Sequence, residues 1–120
     1  MHIKTVCVID DEPAIRRSTV ALVRSLGCEA RAFSSAEDFL LQGMEHEVDC
    51  VVCDIHMSGM SGTTLLNRLR ATGVNVPFIF VSGRATPQDE AAISRFGVRL
   101  LVKPIEPHEL ADLLAASLRI

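Results

Sequence analysis

The chain has no tryptophan, no tyrosine and only five phenylalanines among its 120 residues. Aliphatic side chains must therefore fill the core, and a chain of this length can bury one without disulfides or metals. The formal net charge is only −3, so nothing general attracts the protein to nucleic acid or to an anionic membrane. Apolar runs such as residues 78–81 are far too short to cross a bilayer, and residues 1–4 lack a signal-peptide core. We expect a cytoplasmic protein without membrane contact.

The chain has four cysteines, at positions 7, 28, 50 and 53. Cys50 and Cys53 have the C-x-x-C spacing, but they lie inside an apolar run and not at a helix N-terminus, where a reactive thiolate is stabilised. A zinc site needs about four ligands, and no second pair exists. We expect buried, apolar cysteines, with a metal or redox site as the alternative.

Short apolar runs alternate with amphipathic stretches along the whole chain. The strands are predicted at residues 5–10, 29–33, 50–54, 78–82 and 99–102. The helices are predicted at residues 13–26, 35–41, 61–71, 86–96 and 106–118, the first opening with a potential aspartate cap. This (βα)₅ order predicts an α/β, doubly wound, three-layer sandwich with one parallel sheet and right-handed crossovers.

Polar side chains stand where four of the predicted strands end: Asp10 and Asp11, Asp54, Ser82, and Lys103. Each alone could be a loop residue or a helix cap. In a parallel sheet, however, the carboxyl ends of the strands lie at one edge, where ligands bind. We therefore expect one shared site.

The charge of that site indicates its chemistry. Clustered carboxylates repel each other by about 4 kcal/mol per pair at 4 Å and an effective dielectric of 20, so a proton or a cation must relieve them. Oxygen ligands with few carboxylates suit Mg²⁺. A carboxylate can act as a nucleophile and form an aspartyl phosphate, and Asp54 is the best placed candidate. Lys103 and Ser82 can then contact phosphoryl oxygens, while Asp10 and Asp11 hold the metal.

These residues resemble the signature of response regulator receiver domains of the CheY-like superfamily. The resemblance covers essentially all of residues 1–120, as one receiver domain, and is most similar to receivers of nitrogen-fixation-type (FixJ-like, LuxR-type) transcriptional regulators. Its motifs, in chain order, are Asp10-Asp11-Glu12-Pro13, residues 54–62, Ser82-Gly83 and Lys103-Pro104.

The resemblance implies a flavodoxin-like sheet of order 2-1-3-4-5 and a role for each site residue. Asp54 is the phosphoacceptor for a sensor histidine kinase, so the domain is a signalling protein and not an enzyme with an external substrate. Mg²⁺ is held by Asp11, Asp54 and the backbone carbonyl of His56, with Asp10 acting through a water.

The same resemblance implies that Ser82 and Lys103 hold the phosphoryl group and that the Lys103–Pro104 peptide is cis. It further implies an output surface made of the fourth helix, fifth strand and fifth helix, which could form a homodimer or release an attached DNA-binding domain; the receiver itself binds no nucleic acid. The charged residues there either form a solvated face, which is the default interpretation, or supply interface charge pairs: Arg95, Arg99, Glu106, Glu109 and Asp112.

Three positions depart from the family pattern or leave their role open. Leu100 stands where these receivers usually carry Tyr or Phe, so a switch that couples a ring to Ser82 is in doubt. His56 is either an exposed loop residue or a pH-sensitive modulator of phosphate lifetime. Arg84 could pair with Glu12 or phosphate, or could be solvated.

Two other function classes remain open at this point. One is a phosphatase of the haloacid-dehalogenase type, which also uses an aspartate nucleophile and Mg²⁺. Its nucleophile lies in a D-x-D motif after the first strand, however, and this chain has Asp10-Asp11-Glu12 and no segment for a substrate cap. The other is a receiver-like interaction module that signals without phosphorylation.

Overall fold

The computed structural model describes residues 2–119, which form five strands and five helices in strict alternation. The strands are β1 (Thr5–Ile9), β2 (Glu29–Phe33), β3 (Cys50–Asp54), β4 (Phe78–Ser82) and β5 (Arg99–Val102). The helices are α1 (Pro13–Ser25), α2 (Ala36–Leu41), α3 (Gly62–Ala71), α4 (Pro87–Phe96) and α5 (Pro107–Leu118), with a 3₁₀ turn at Met44–His46 before β3.

All sheet pairings are parallel, and the strand order is β2-β1-β3-β4-β5, which confirms the predicted doubly wound architecture. Every residue of β3 and β4 is buried, as expected of parallel strands that are covered on both faces. The edge strand β5 differs, since its four residues are exposed or half-buried. The phosphoacceptor candidate Asp54 therefore ends the central strand of the sheet.

Two apolar clusters, one on each side of the sheet, form the core. One cluster packs α2, α3 and α4 on the sheet through residues that include Phe39, Leu65 and Ile93. The other packs α1 and α5 on the opposite face through Val23 and three leucines of α5, of which Leu110 is fully buried. The three layers are thus helices, sheet and helices.

The four cysteines are buried thiols, as predicted. Cys53 belongs to the cluster beneath α3, whereas Cys50 belongs to the cluster beneath α5. Residues three apart on a strand point to opposite faces, so the C-x-x-C spacing cannot bring these sulfurs together. Burial raises the pKa of Cys7 and Cys50 to about 12, which keeps both thiols protonated and unreactive.

Helix boundaries differ from the predictions by one residue at several ends. The residues predicted to open the second, third and fourth helices are N-caps, and the side chains of Ser35, Ser61 and Thr86 accept backbone N–H bonds there. The predicted aspartate cap of α1 is wrong. Its N-cap is Glu12, without a side-chain cap bond, and the carboxylate of Asp11, the predicted cap, instead accepts the Ser58 backbone N–H at 3.2 Å.

No helix among residues 2–119 has the length and the apolar character needed to cross a membrane.

Candidate functional site

The predicted side chains meet at the carboxyl edge of the sheet. Asp10 directly follows β1, Asp54 ends β3, Ser82 ends β4, and Lys103 directly follows β5. Register places Asp54 beside Val81, the residue before Ser82. Asp10, Asp54 and Ser82 are each no more than 4% exposed, so three polar groups are buried where the strands end.

Lys103 is the centre of this cluster. Its Nζ donates to Asp54 Oδ2 at 3.0 Å and to Glu12 Oε1 at 3.1 Å, and it lies 3.4 Å from Asp10 Oδ2. Burial acts to lower the pKa of Lys103, but the hydrogen bonds to Asp54 and Glu12 outweigh it and raise that pKa. The ammonium group is therefore charged at neutral pH and acts as an internal counter-ion for three carboxylates.

Asp10 is the least satisfied member of the cluster. Its Oδ1 accepts the Glu12 backbone N–H, but its buried Oδ2 accepts no hydrogen bond from residues 2–119, since the 3.4 Å approach of Lys103 is an ion pair without hydrogen-bond geometry. Burial, opposed by the Glu12 N–H and the charge of Lys103, raises the pKa of Asp10. A buried carboxylate oxygen without a partner fits a site for a cation.

Three carboxylates could hold a cation together: oxygen atoms of Asp10, Glu12 and Asp54 lie within 4.8 Å of one another. Asp11, predicted as a direct ligand, is exposed and lies outside this group; its Oδ2 accepts the Ser58 backbone N–H at 3.2 Å. Sequence reasoning gave Glu12 no role as a ligand. The signal available was its place in the unbroken acidic run 10–12.

Ser82 forms no hydrogen bond to the carboxylates within residues 2–119. Its Oγ donates to the Arg84 carbonyl at 2.9 Å and accepts the Arg84 backbone N–H at 3.1 Å. The serine hydroxyl is thus held by the start of the β4–α4 loop, while the exposed Arg84 side chain forms no ion pair among the described residues.

Hydrogen bonds hold the loop that follows Asp54 at its base and at its tip. The Gly62 backbone N–H donates to the Ile55 carbonyl at 2.8 Å, and a Cβ at Gly62 would collide with the Asp54 carbonyl oxygen, so only glycine fits. At the tip, the Met60 backbone N–H donates to Glu37 Oε2 at 3.0 Å and lowers the pKa of Glu37. Glu37, on α2, was not predicted from the sequence.

His56 links this loop to another element. Its backbone N–H donates to Asp54 Oδ1 at 3.3 Å, and its Nε2 lies 2.8 Å from Asp89 Oδ2 in the first turn of α4. Its side chain is 52% exposed. Neither of the two predicted roles of His56 included a contact with α4. Leu100 is half-buried against the core cluster beneath α3 and α4.

A five-stranded parallel sheet of order 2-1-3-4-5, with an acidic pocket at the carboxyl ends of its strands, defines a CheY-like domain of the flavodoxin fold. The family model of the response regulator receiver domain matches residues 6–115. The chain therefore belongs to the response regulator receiver domain family, a family of signalling domains in two-component systems.

Relatives and solved structures agree with this assignment. The chain is 36% identical to the transcriptional regulatory protein TdiR of Thauera aromatica over 95% of its own length and 51% of that protein. It is 33% identical to the transcriptional regulatory protein FixJ of Azorhizobium caulinodans over 92% of its length and 53% of that protein. The predicted similarity to nitrogen-fixation-type regulators is thus confirmed.

The receiver domain protein of Methanospirillum hungatei has the same fold, with a TM-score of 0.89 at 23% identity, over 98% of this chain and 95% of that one. The chain spans about half the length of the curated relatives it matches.

Proposed function

We propose that this receiver switches when Asp54 accepts a phosphoryl group in a Mg²⁺-dependent reaction, with a sensor histidine kinase as the donor. The observation that carries the proposal is the contact of Lys103 Nζ with Asp54 Oδ2 at 3.0 Å inside a buried acidic pocket. A carboxylate can act as the nucleophile, and the lysine beside it can neutralise an incoming phosphoryl oxygen.

The proposed transfer is a nucleophilic substitution at phosphorus. A carboxylate oxygen of Asp54 forms the new P–O bond as the P–N bond to the phosphohistidine of the kinase breaks, and the released imidazole nitrogen takes up a proton. Lys103 pairs with one phosphoryl oxygen. The Ser82 hydroxyl donates to a second one, for which it must leave the Arg84 carbonyl that it contacts at 2.9 Å.

The residues present fit a hard divalent cation, since the clustered carboxylates offer oxygen ligands and Asp10 Oδ2 has no hydrogen-bond partner among the described residues. When bound, Mg²⁺ offsets the negative charge of the carboxylates and of the phosphoryl group. We retain the predicted ligand set of Asp11, Asp54 and the His56 carbonyl, with Asp10 acting through water. The grouping of Glu12 with Asp10 and Asp54 supports a second set in which Glu12 replaces Asp11.

We further propose that residues 1–120 form one receiver domain, which works in the cytoplasm and controls an attached DNA-binding domain or a partner protein. Two relatives of about twice its length are transcriptional regulatory proteins, which supports that output. Homodimerisation through α4, β5 and α5 is the proposed readout, and Arg99, Glu109 and Asp112 line a groove there beside half-buried Leu100 and Leu101.

The proposal is tested by incubating the protein with acetyl phosphate and Mg²⁺ and measuring its intact mass. We expect one added phosphoryl group on the wild type and on Asp49→Asn, an aspartate variant at the opposite edge of the sheet, and none on Asp54→Asn. A wild-type protein that stays unmodified would be the phosphorylation-independent module, and turnover of an external phosphoester would identify a phosphatase.

The two ligand sets are separated by magnesium titrations of Asp11→Asn and Glu12→Gln. The predicted set requires the larger loss of affinity, on the order of tenfold, in Asp11→Asn. A larger loss in Glu12→Gln would replace Asp11 by Glu12 as the ligand.

A further inference from the structure

Helix α4 is attached to the sheet by few buried side chains. Its buried residues are Asp89 and Ile93, whereas α5 buries three leucines and α3 buries three leucines and a glycine. A helix with so little buried apolar surface is held weakly by the hydrophobic effect. Its polar contacts therefore contribute a large share of what positions it.

The hydrogen bond between His56 and Asp89 connects α4 to the loop that follows Asp54. Asp89 is 8% exposed, and its Oδ2 accepts both the Thr86 backbone N–H and the His56 Nε2–H, each at 2.8 Å. Burial acts to raise the pKa of Asp89, but the hydrogen bonds from Thr86 outweigh it and lower that pKa. An ionised carboxylate only accepts hydrogen bonds, so the proton of the His56 ring must be on Nε2.

His56 also touches the reacting group. Its backbone N–H donates to Asp54 Oδ1 at 3.3 Å, so a single residue joins the carboxylate of Asp54 to the carboxylate that caps α4. Conversion of the Asp54 carboxylate to an acyl phosphate removes its charge and leaves a weaker acceptor for that N–H. Phosphorylation must therefore disturb the backbone of the residue whose side chain holds α4.

Position 100 on β5 cannot provide a polar link between the site and α4, because it is a leucine. Leu100 packs against the core cluster and has no side-chain donor or acceptor. It therefore cannot form a hydrogen bond to Ser82 in either state of the site. Among the described side chains, His56 is the one that hydrogen-bonds α4 from the loop after Asp54.

We propose that His56 and Asp89 act as a positioning pair that couples the Asp54 loop to helix α4, so that phosphorylation shifts α4 through this hydrogen bond. This inference rests on the proposed phosphorylation of Asp54 and specifies how the change at that residue reaches the proposed output surface. The change at α4 is a rearrangement of its first turn, where Asp89 lies, and not an unfolding of the helix.

The test uses the whole chain with Mg²⁺ and beryllofluoride as the phosphoryl mimic, followed by NMR of backbone amides. In the wild type, amides near Asp54 and amides of α4 should both shift. In Asp89→Asn, the α4 shifts should fall at least twofold, while the shifts near Asp54 persist. His56→Ala should reduce the α4 shifts to the same extent, and the double variant should reduce them no further, since the pair acts as one unit.

Two controls separate the coupling from the stability of the helix end. Glu90→Gln removes an equal charge from the next residue and should keep the full α4 response. Thr86→Ala breaks the capping box but leaves the His56 contact, so it should also keep the response.

Unchanged α4 shifts in both Asp89→Asn and His56→Ala would overturn the coupling, as would an equal loss in Thr86→Ala. If wild-type amides near Asp54 did not respond at all, the proposed phosphorylation would fall first and the coupling with it. A failure of the proposed phosphorylation thus appears in the amides near Asp54, whereas a failure of the coupling alone appears in the amides of α4.

Discussion

The two edges of the same sheet both carry buried or partly buried polar groups, but these groups differ in how well hydrogen bonds satisfy them. At the amino edge, Asp49 accepts the Thr5 backbone N–H at 2.8 Å, and Arg70 donates to the carbonyls of Val74 and Val76, each at 2.9 Å. At the carboxyl edge, Asp10 belongs to a cluster of three carboxylates around one lysine and has a buried oxygen without a hydrogen-bond partner in the part of the chain that the structure describes.

Their pKa values show the same contrast. Burial acts to raise the pKa of Asp49, but hydrogen bonds from the Thr5 N–H and from His2 lower it overall. Burial of Asp10 prevails over the hydrogen bond from Glu12, and its pKa is raised. One edge is therefore satisfied and stabilises the fold, while the other retains unfavourable electrostatics that a cation or a phosphoryl group can relieve.

The largest effect on stability is expected from Arg70→Ala at the amino edge. The substitution removes the donors of two carbonyl groups and the guanidinium that stacks 5.7 Å from the Phe78 ring centroid. We expect the free energy of unfolding to fall by about 2 kcal/mol. Urea denaturation measures it, with Arg68→Ala as the control, because exposed Arg68 lies on the same helix and should change stability by less than about 0.5 kcal/mol. Equal losses in both variants would contradict the role assigned to Arg70.

Magnesium should stabilise the protein through the carboxyl edge alone. At ten times its dissociation constant, Mg²⁺ should raise the free energy of unfolding by about 1.4 kcal/mol, since it binds the folded state. Thermal or urea unfolding with and without MgCl₂ measures this rise. Asp54→Asn should abolish most of it and Asp49→Asn should retain it. A rise that survives in Asp54→Asn would place the ion elsewhere.

The smallest expected effect gives the sharpest contrast. Without divalent ions, Asp10→Asn and Asp49→Asn should change the free energy of unfolding in opposite directions. A raised folded-state pKa means that the contribution of Asp10 is favourable at acidic pH and is lost as pH rises through that pKa. The Asp10→Asn variant carries no charge at this position, so its free energy of unfolding at pH 7 should be higher by about 1 kcal/mol.

Asp49 has a lowered folded-state pKa, so its contribution is present above the ordinary aspartate pKa and is lost as pH falls through the folded value. Asp49→Asn should decrease the free energy of unfolding at pH 7 by about 1 kcal/mol. Urea titrations at pH 7 and near pH 3 measure both variants, and the two differences should shrink at the acidic end. Changes of the same sign at pH 7 would remove the contrast between the edges.

Most of the fold was predictable because its signals are local. The buried strands β3 and β4 appear as continuous apolar runs, and Ser35, Ser61 and Thr86 mark helix starts by their ability to accept backbone N–H bonds. The predicted aspartate cap of α1 failed because of a tertiary contact. The Asp11 carboxylate accepts the backbone N–H of Ser58, 47 residues further along the chain, and α1 begins after Glu12 instead.

The sequence by itself determined the order of strands and helices and the edge at which Asp10, Asp54, Ser82 and Lys103 gather, because apolar periodicity and the rules of parallel sheets act on short segments. Only the tertiary structure decided that Glu12 joins the carboxylates, that Glu37 holds Met60 and that His56 holds Asp89. The latter two contacts join residues 23 and 33 positions apart. They depend on how loops cross and on which rotamers fit, and no local pattern of residues encodes either.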